Sequence, residues 1–513
     1  MRLSPLSEAR PVAIREASRV SPLLLAGLCL PLAFACGNDD VDNARAGPGG
    51  SSPADDSGSS GNAGSDAGGS GGSGGGGADA GGSADSGSDG DAMQPGNLEA
   101  RINEAVESIQ SDTCFAEDDT SLCEWADYEV GPAHFDMAKS TSEAVLVIDD
   151  FGAGFHPQLV RYRNRLLGFY RINGEHVEAQ VLSVRLPKRL GDVLVSFAGP
   201  EFIPAHALTR VGSAAVATYG KLNLLYYGHG GVVMSHLVEL VPEQPLVLLD
   251  MARLFDLPPA VCAGIDAERL AAATAHFAAI AASLKRVMTD QNVRFINASF
   301  GSTAPNLAVD WARTCGSEVP PSEELQQLLH VYDPIYDVLF NTEGIMTAQA
   351  GSNLGSPADY PFDQVSPKFP NRVRVGFFSS LRSGLDETGR GTVQKTDQFP
   401  ALGDADVYVN WGCELRGTEP VCSEPHYEFA APFGLGTGTV PLMSTSYVDP
   451  LGLARLVNLR YANHDGEPMS NALIQTLRHE LTPSLCGDDG AQPCVYQDPI
   501  AHRQLELYRL HYE

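Results

Sequence analysis

The run Ala144-Val145-Leu146-Val147-Ile148 is apolar at every position, rich in β-branched residues, and stops abruptly at Asp149-Asp150. A half-exposed strand would alternate, so a continuous run fits a strand covered on both faces, as in a parallel sheet sandwiched between helices. Two further segments repeat the pattern. Leu246-Val247-Leu248-Leu249 follows Pro242, and Val293 to Ile296 comes directly after a helical stretch from Ala267 to Met288. In that stretch Leu270, Phe277, Leu284 and Met288 share one stripe, with Asp266 placed as N-cap. Strand, helix and strand in that order make a right-handed crossover unit. A helix from Glu323 to about Phe340, bent at Pro334, then leads to a strand at Ile345 to Ala348, and Val193 to Phe197 reads as another strand-like piece. The expected fold class is α/β, with a mainly parallel central sheet and helices on both faces.

Only part of the 513 residues can belong to that sheet. Residues 1–36 read as an export signal: Arg2, Arg10, Arg15 and Arg19 precede an apolar run from Leu23 to Ala35 that is too short to span a bilayer. The run ends in Ala33-Phe34-Ala35-Cys36-Gly37, which resembles a bacterial lipobox. That resemblance implies cleavage ahead of Cys36, a lipid on Cys36 and a place at the cell envelope; an ordinary secretory signal cut nearby is the alternative. Residues 37–97 are almost entirely Gly, Ser, Ala and Asp, and nothing in them can bury enough apolar surface to offset the entropy of ordering. They form a tether. Within it Gly68-Gly69-Ser70-Gly71-Gly72 fits G-x-S-x-G, but a nucleophile elbow needs a strand before it and a helix after it. Residues 98–513 have globular composition and are numerous enough for a large core.

Charge and cysteines narrow the setting. Against 34 basic residues stand 64 acidic ones, a formal charge of −30 that repels nucleic acid and anionic lipid. A membrane partner is therefore expected only through the lipid anchor. Cys114, Cys123, Cys262, Cys315, Cys413, Cys422, Cys486 and Cys494 are an even set in an exported chain, which argues for disulfides. Connectivity is not fixed by sequence, but close spacing makes Cys114 with Cys123, Cys413 with Cys422 and Cys486 with Cys494 economical, leaving Cys262 for Cys315. No C-x-x-C pair suggests zinc.

Chemistry-bearing residues fall at the ends of these elements. Asp149 ends a central strand, where α/β sheets place their chemistry, and Asp150 is a second choice. Tyr227-Gly228-His229-Gly230-Gly231 opens a helical stretch with a glycine-flanked histidine. His229 and His236 lack the i, i+4 spacing of a zinc pair, so no metal ligands are assigned. Asn297-Ala298-Ser299-Phe300-Gly301 and Ala350-Gly351-Ser352-Asn353-Leu354-Gly355 are small-residue turns after strands. Ser444-Thr445-Ser446-Tyr447-Val448-Asp449-Pro450 leads into a helix whose Leu453, Leu456, Val457 and Tyr461 share a face. A serine there sits near backbone N–H groups and the positive end of the helix dipole, where an oxyanion is stabilised; it could equally be a plain N-cap.

In order, these stretches resemble the V-I-D-x-G, H-G-T-H-V-A-G, N-x-S-L-G, A-G-N-x-G and G-T-S-x-A-x-P signatures of the subtilisin-like serine proteases. Phe369 to Gly376 and Ala430-Ala431-Pro432-Phe433-Gly434 add weaker similarities. The resemblance implies a triad of Asp149 (or Asp150), His229 and Ser446, with Asn353 (or Ser352) as oxyanion-hole donor. It also implies that Ser299, Phe300 and Gly301 line bound peptide, and that the substrate is a peptide or protein. Ser444 replaces the family glycine, Val448 its alanine and Val232 its second histidine. The interval from Gly152 to Tyr227 is longer than compact members need, an insertion expected to shape the cleft. No redox cofactor is implied; structural calcium belongs to many such proteins, yet no D-x-[DN]-x-[DN]-G loop is present here. A second expectation follows from the altered serine motif: a catalytically inactive scaffold of this type, acting as a surface binding lipoprotein.

Overall fold

A computed structural model describes residues 95–114, 120–152, 156–219, 228–300, 304–316, 318–351, 369–378, 406–410, 413–416, 419–422, 427–431, 433–437, 445–486 and 494–496. All of them lie within the unit Asp40–Glu513. Helix α1 (Pro95–Gln110) opens just ahead of the expected boundary at residue 98 and buries Ile102, Ala105 and Ile109 along one stripe. After β1 (Trp125–Val130) comes β2 (Ala144–Asp149), buried at every position. Its Val145 and Val147 enter one hydrophobic core, and its Ala144, Leu146 and Ile148 enter a second. That period-two split is what a strand covered on both faces must show.

The interval after β2 holds α2 (Pro157–Arg161), β3 (Leu166–Asn173), β4 (His176–Gln180), β5 (Leu182–Pro187), α3 (Lys188–Ser196) and α4 (Thr209–Tyr219). Val193 to Phe197, expected as a strand, is thus mostly helix. Buried Leu190, Val193, Leu194 and Phe197 stand at i, i+3, i+4 and i+7, a period invisible in a window that begins at Val193. The expected insertion also extends the sheet, because β3 and β4 form one of its edges, while β5 pairs antiparallel with β1.

Next come α5 (His229–Leu240), β6 (Leu246–Asp250), α6 (Ala267–Asp290) and β7 (Val293–Ala298). Asp266 caps α6, its carboxylate accepting from the Arg269 N–H at 2.9 Å. α7 (Ala304–Cys315), α8 (Ser322–Leu329) and α9 (Asp333–Asn341) follow. The single bent helix expected from Glu323 to Phe340 is therefore two, joined by a 3-10 turn at His330–Tyr332. Pro334 falls in the first turn of α9, where a missing N–H has no helical partner to lose. The remaining elements are β8 (Met346–Ala350), β9 (Arg372–Phe378), β10 (Val407–Asn410), β11 (Cys413–Arg416), β12 (Glu419–Cys422), β13 (Tyr427–Ala431), β14 (Gly434–Thr437), α10 (Thr445–Asn463), α11 (Asn471–Cys486) and β15 (Cys494–Tyr496).

Among the described residues, nine strands form the central sheet in the order β15-β10-β9-β8-β7-β2-β6-β3-β4. Every neighbouring pair is parallel except β3 with β4. From β2 the chain proceeds to β3 and β6 on one side, then crosses through α6 to β7, β8, β9 and β10 on the other. Strand order reverses at β2, the position at which open α/β sheets place their ligand sites. α10 lies across β7, β8 and β9 and against α5. Its approach to β9 is close: a Cβ at Gly452 would come within 2.6 Å of Val375 Cγ2.

Two disulfides, Cys114–Cys123 and Cys262–Cys315, follow the economical pairing. Cys413 and Cys422 stand opposite each other in the β11–β12 register, but their side chains, and those of Cys486 and Cys494, lie outside the described residues. Cys36 lies outside them as well. No described helix is long and apolar enough to cross a membrane.

Candidate active site

Asp149 closes β2 at the point where strand order reverses, fully buried. Its Oδ1 accepts from the Asp150 N–H at 2.7 Å and meets His229 Nδ1 at 2.6 Å. Asp150 turns elsewhere: its carboxylate accepts from the Gly152 N–H at 3.0 Å, and its carbonyl accepts from the Gly230 N–H at 3.2 Å. Of the two acids, Asp149 is the one hydrogen-bonded to the histidine. Asp250, beside Asp149 in the β2–β6 register, is taken by Arg171 Nε at 3.0 Å and by the Ala252 N–H.

His229 is the first residue of α5, and the Gly230-to-Asp150 bond holds that first turn against the exit of β2. Only glycine permits the approach, since a Cβ at residue 230 would lie 2.7 Å from the Phe151 ring and 2.8 Å from the Asp150 carbonyl oxygen. Burial pushes the imidazole pKa down, but the charge and hydrogen bond of Asp149, with the charge of Asp150, outweigh it and hold His229 above its ordinary value. The carboxylate fixes the proton of the neutral ring on Nδ1. Nε2 is left buried, with no hydrogen-bond partner among the described residues.

The start of α10 meets this pair. The Tyr447 ring lies 5.0 Å from the His229 ring, centroid to centroid. Ser446 is buried, and its Oγ donates to the Ser299 carbonyl at 3.3 Å rather than to His229 Nε2. In return Ser299 Oγ donates to the Ser446 carbonyl at 3.0 Å. Sequence supplies the reason for that second bond. Pro450 has no N–H, so the Ser446 carbonyl four residues earlier has no helical partner, and the Ser299 hydroxyl takes that place. Thr445 Oγ1 donates to the Gly351 carbonyl at 2.6 Å, tying the same turn to the exit of β8. Asn353 and Ser352, which follow that exit, lie outside the described residues, as do Gly301 and Ser444.

Ser299 and Phe300 are built into the end of β7's connection. The Phe300 carbonyl accepts from Gln349 Nε2 at 3.3 Å, and Gln349 Oε1 accepts from buried Arg372 at 3.0 Å. The Phe300 ring packs on Phe255 in the second core, with centroids 5.4 Å apart. Both carbonyls of the pair that sequence assigned to peptide contact thus bond within the protein.

Asp449 carried no role in the sequence reading. It is fully buried one turn after Ser446, and neither carboxyl oxygen has a hydrogen-bond partner among the described residues. Its signal was a lone acid between Val448 and Pro450 in a helix whose first turns are buried all round. Among the described residues no group of three or more His, Cys, Asp or Glu is placed to hold a metal ion.

Chemically, an imidazole whose Nδ1 is bonded to a buried carboxylate and whose Nε2 is open can take a proton at Nε2 from a hydroxyl brought within reach. The start of α10 supplies a hydroxyl beside it, at the positive end of the helix dipole. No protein-family model matches the chain, and no curated protein resembles it significantly.

Proposed function

We propose that this chain is a serine hydrolase and, within that class, a subtilisin-like endopeptidase, exported and held at the cell envelope by a lipid on Cys36. The observation that carries the reading is the 2.6 Å bond between Asp149 and His229 at the reversal of strand order, with the Ser446 turn packed against the imidazole. In the reaction, the Ser446 hydroxyl leaves the Ser299 carbonyl for His229 Nε2 and attacks the scissile carbonyl. His229 accepts the proton and returns it to the leaving amine, while Asp149 orients the ring and stabilises its charged form. The acyl group, carried as an ester on Ser446, is released by water. Asn353 and the Ser446 N–H hold the oxyanion. No metal takes part in these steps.

The full burial of Ser446 favours a second reading, a scaffold of this type that binds peptide without cutting. A fluorophosphonate probe separates the two. The full chain, produced under oxidising conditions, is expected to label, and Ser446→Ala is expected to abolish labelling. A folded chain that stays unlabelled sinks the hydrolase and leaves the binding reading.

A further inference from the structure

The turn that carries His229 is weak in its own right. Gly228, Gly230 and Gly231 surround the histidine, and glycine is the poorest helix former after proline. Gly228 stands at the N-cap of α5, where it has no side chain to cap the first N–H groups. Side chains from outside the helix close on this turn instead. A Cβ at residue 228 would fall 1.7 Å from His156 Cε1, so the His156 ring occupies the space that any larger residue would need. The same ring, through Nδ1, comes within 3.0 Å of a Cβ at residue 231, and Gln158 Oε1 within 3.1 Å. The Phe151 ring fills the corresponding space at Gly230 and lies 6.2 Å from the His156 ring, centroid to centroid. His156 is itself buried, and although it stands at the N-cap of α2 its side chain makes no capping bond there. Pro157 in the first turn of α2, and the Leu159 N–H donating to the His156 carbonyl at 3.1 Å, fix the backbone from which the ring projects.

A ring at 156 and bare backbone at 228 and 231 are the two halves of one contact. We propose that His156 is a positioning residue: its ring, seated against the Gly228–Gly231 backbone, holds the first turn of α5 so that His229 Nδ1 stays on Asp149. The 2.6 Å bond leaves little room for error, since drift of the turn by about 1 Å stretches it beyond hydrogen-bond length. His156 takes no part in proton transfer and touches no reacting atom in this role; it acts through the backbone on either side of His229. The interval between Gly152 and Tyr227 thereby supports the site from behind. Its catalytic meaning rests on the reading of Asp149 and His229 as a working pair, but the titration of His229 is measurable without catalysis.

The test is a double-mutant cycle between the two halves of the contact: wild type, His156→Ala, Gly228→Ala and the double variant, each as the full chain. Two quantities are read, the His229 pKa by ¹⁵N-histidine NMR, with His229 assigned by His229→Gln, and the rate of fluorophosphonate labelling. Burial pulls the His229 pKa down and the Asp149 and Asp150 charges hold it above 6.5, so loss of the Asp149 bond shows as a fall. His156→Ala removes the support and Gly228→Ala drives a methyl group into the ring. Both are expected to lower the His229 pKa and to slow labelling by about 10²-fold. In the double variant the methyl enters the space that the ring has left, and both quantities are expected to return toward wild type. Single variants that melt earlier but keep the wild-type His229 pKa would make the ring mere packing and overturn the proposal, as would losses that simply add in the double variant. If neither single variant folds, the double variant decides: it is expected to fold and titrate as wild type, and failure of either overturns the role. A cycle that behaves as expected by NMR in a chain that never labels retains the positioning residue and loses the hydrolase.

Discussion

In the proposed reaction His229 acts only as a free base, so its proton affinity sets the acid limit of activity. Burial opposes the charged ring, yet Asp149 and Asp150 together win, and the pKa stands above the ordinary imidazole value. The rate of fluorophosphonate labelling is therefore expected to fall as pH drops, with its midpoint above about 6.5. Asp150→Asn removes one of the charges that raise it, and should move that midpoint down while leaving the Asp149 bond in place. A midpoint below the ordinary value, or one indifferent to residue 150, would mean that the pair is not the titrating group. Asp149 and His229 were legible as a strand-end acid and a helix-opening histidine. The choice between Asp149 and Asp150 was not, because it depends on which carboxylate caps the turn at Gly152. Asp449 was illegible for a related reason: a helix buried all round owes that burial to β7, β8, β9 and α5, none of which is near it in sequence.

At the level of elements, the two disulfides close loops of very different length. Cys114–Cys123 spans 9 residues and Cys262–Cys315 spans 53. Restriction of the unfolded chain then gives about 2.5 kcal/mol for the short loop and about 4 kcal/mol for the long one. Replacing Cys262 and Cys315 by serine is expected to lower the urea midpoint more than replacing Cys114 and Cys123. Equal losses would mean that loop length is not what these crosslinks contribute. Elements with a long periodic signal, such as α6 with its Asp266 cap, could be read directly. α3 could not, since its defining stripe begins at Leu190, before the β-branched run that suggests a strand. The break between α8 and α9 was visible as Pro334, but whether a proline bends a helix or starts one depends on what the preceding turn packs against.

For the molecule as a whole, the parallel sheet was foreseeable from its uninterrupted apolar runs, whereas the order of its strands leaves no local mark. The far end of α5 carries another buried acid, Glu239, which accepts from the Tyr162 hydroxyl and, at 3.1 Å, from the Ala205 N–H, while Tyr162 also reaches the Phe433 carbonyl. Burial, against the pull of Tyr162, Arg161, Ala205 and Arg165, pushes its pKa up to about 7. A carboxyl raised on folding binds protons more tightly in the native state, so its contribution is full below the unfolded value of 4.5 and is lost as pH rises toward 7. Glu239→Gln is accordingly expected to flatten the fall in melting temperature over that window. Parallel curves for the two proteins would place the proton elsewhere. β2, which feeds both cores and carries Asp149, is flanked by strands that begin at Leu246 and Val293, and the serine waits on a helix that begins at Thr445. Under the proposed export and activity, a chain threading out of the cell amino end first has the acid long before it has the neighbours that hold it or the hydroxyl that would use it. Under the proposed function, the growing polymer is harmless to itself and to the machinery that exports it, and becomes a hydrolase only as one finished object.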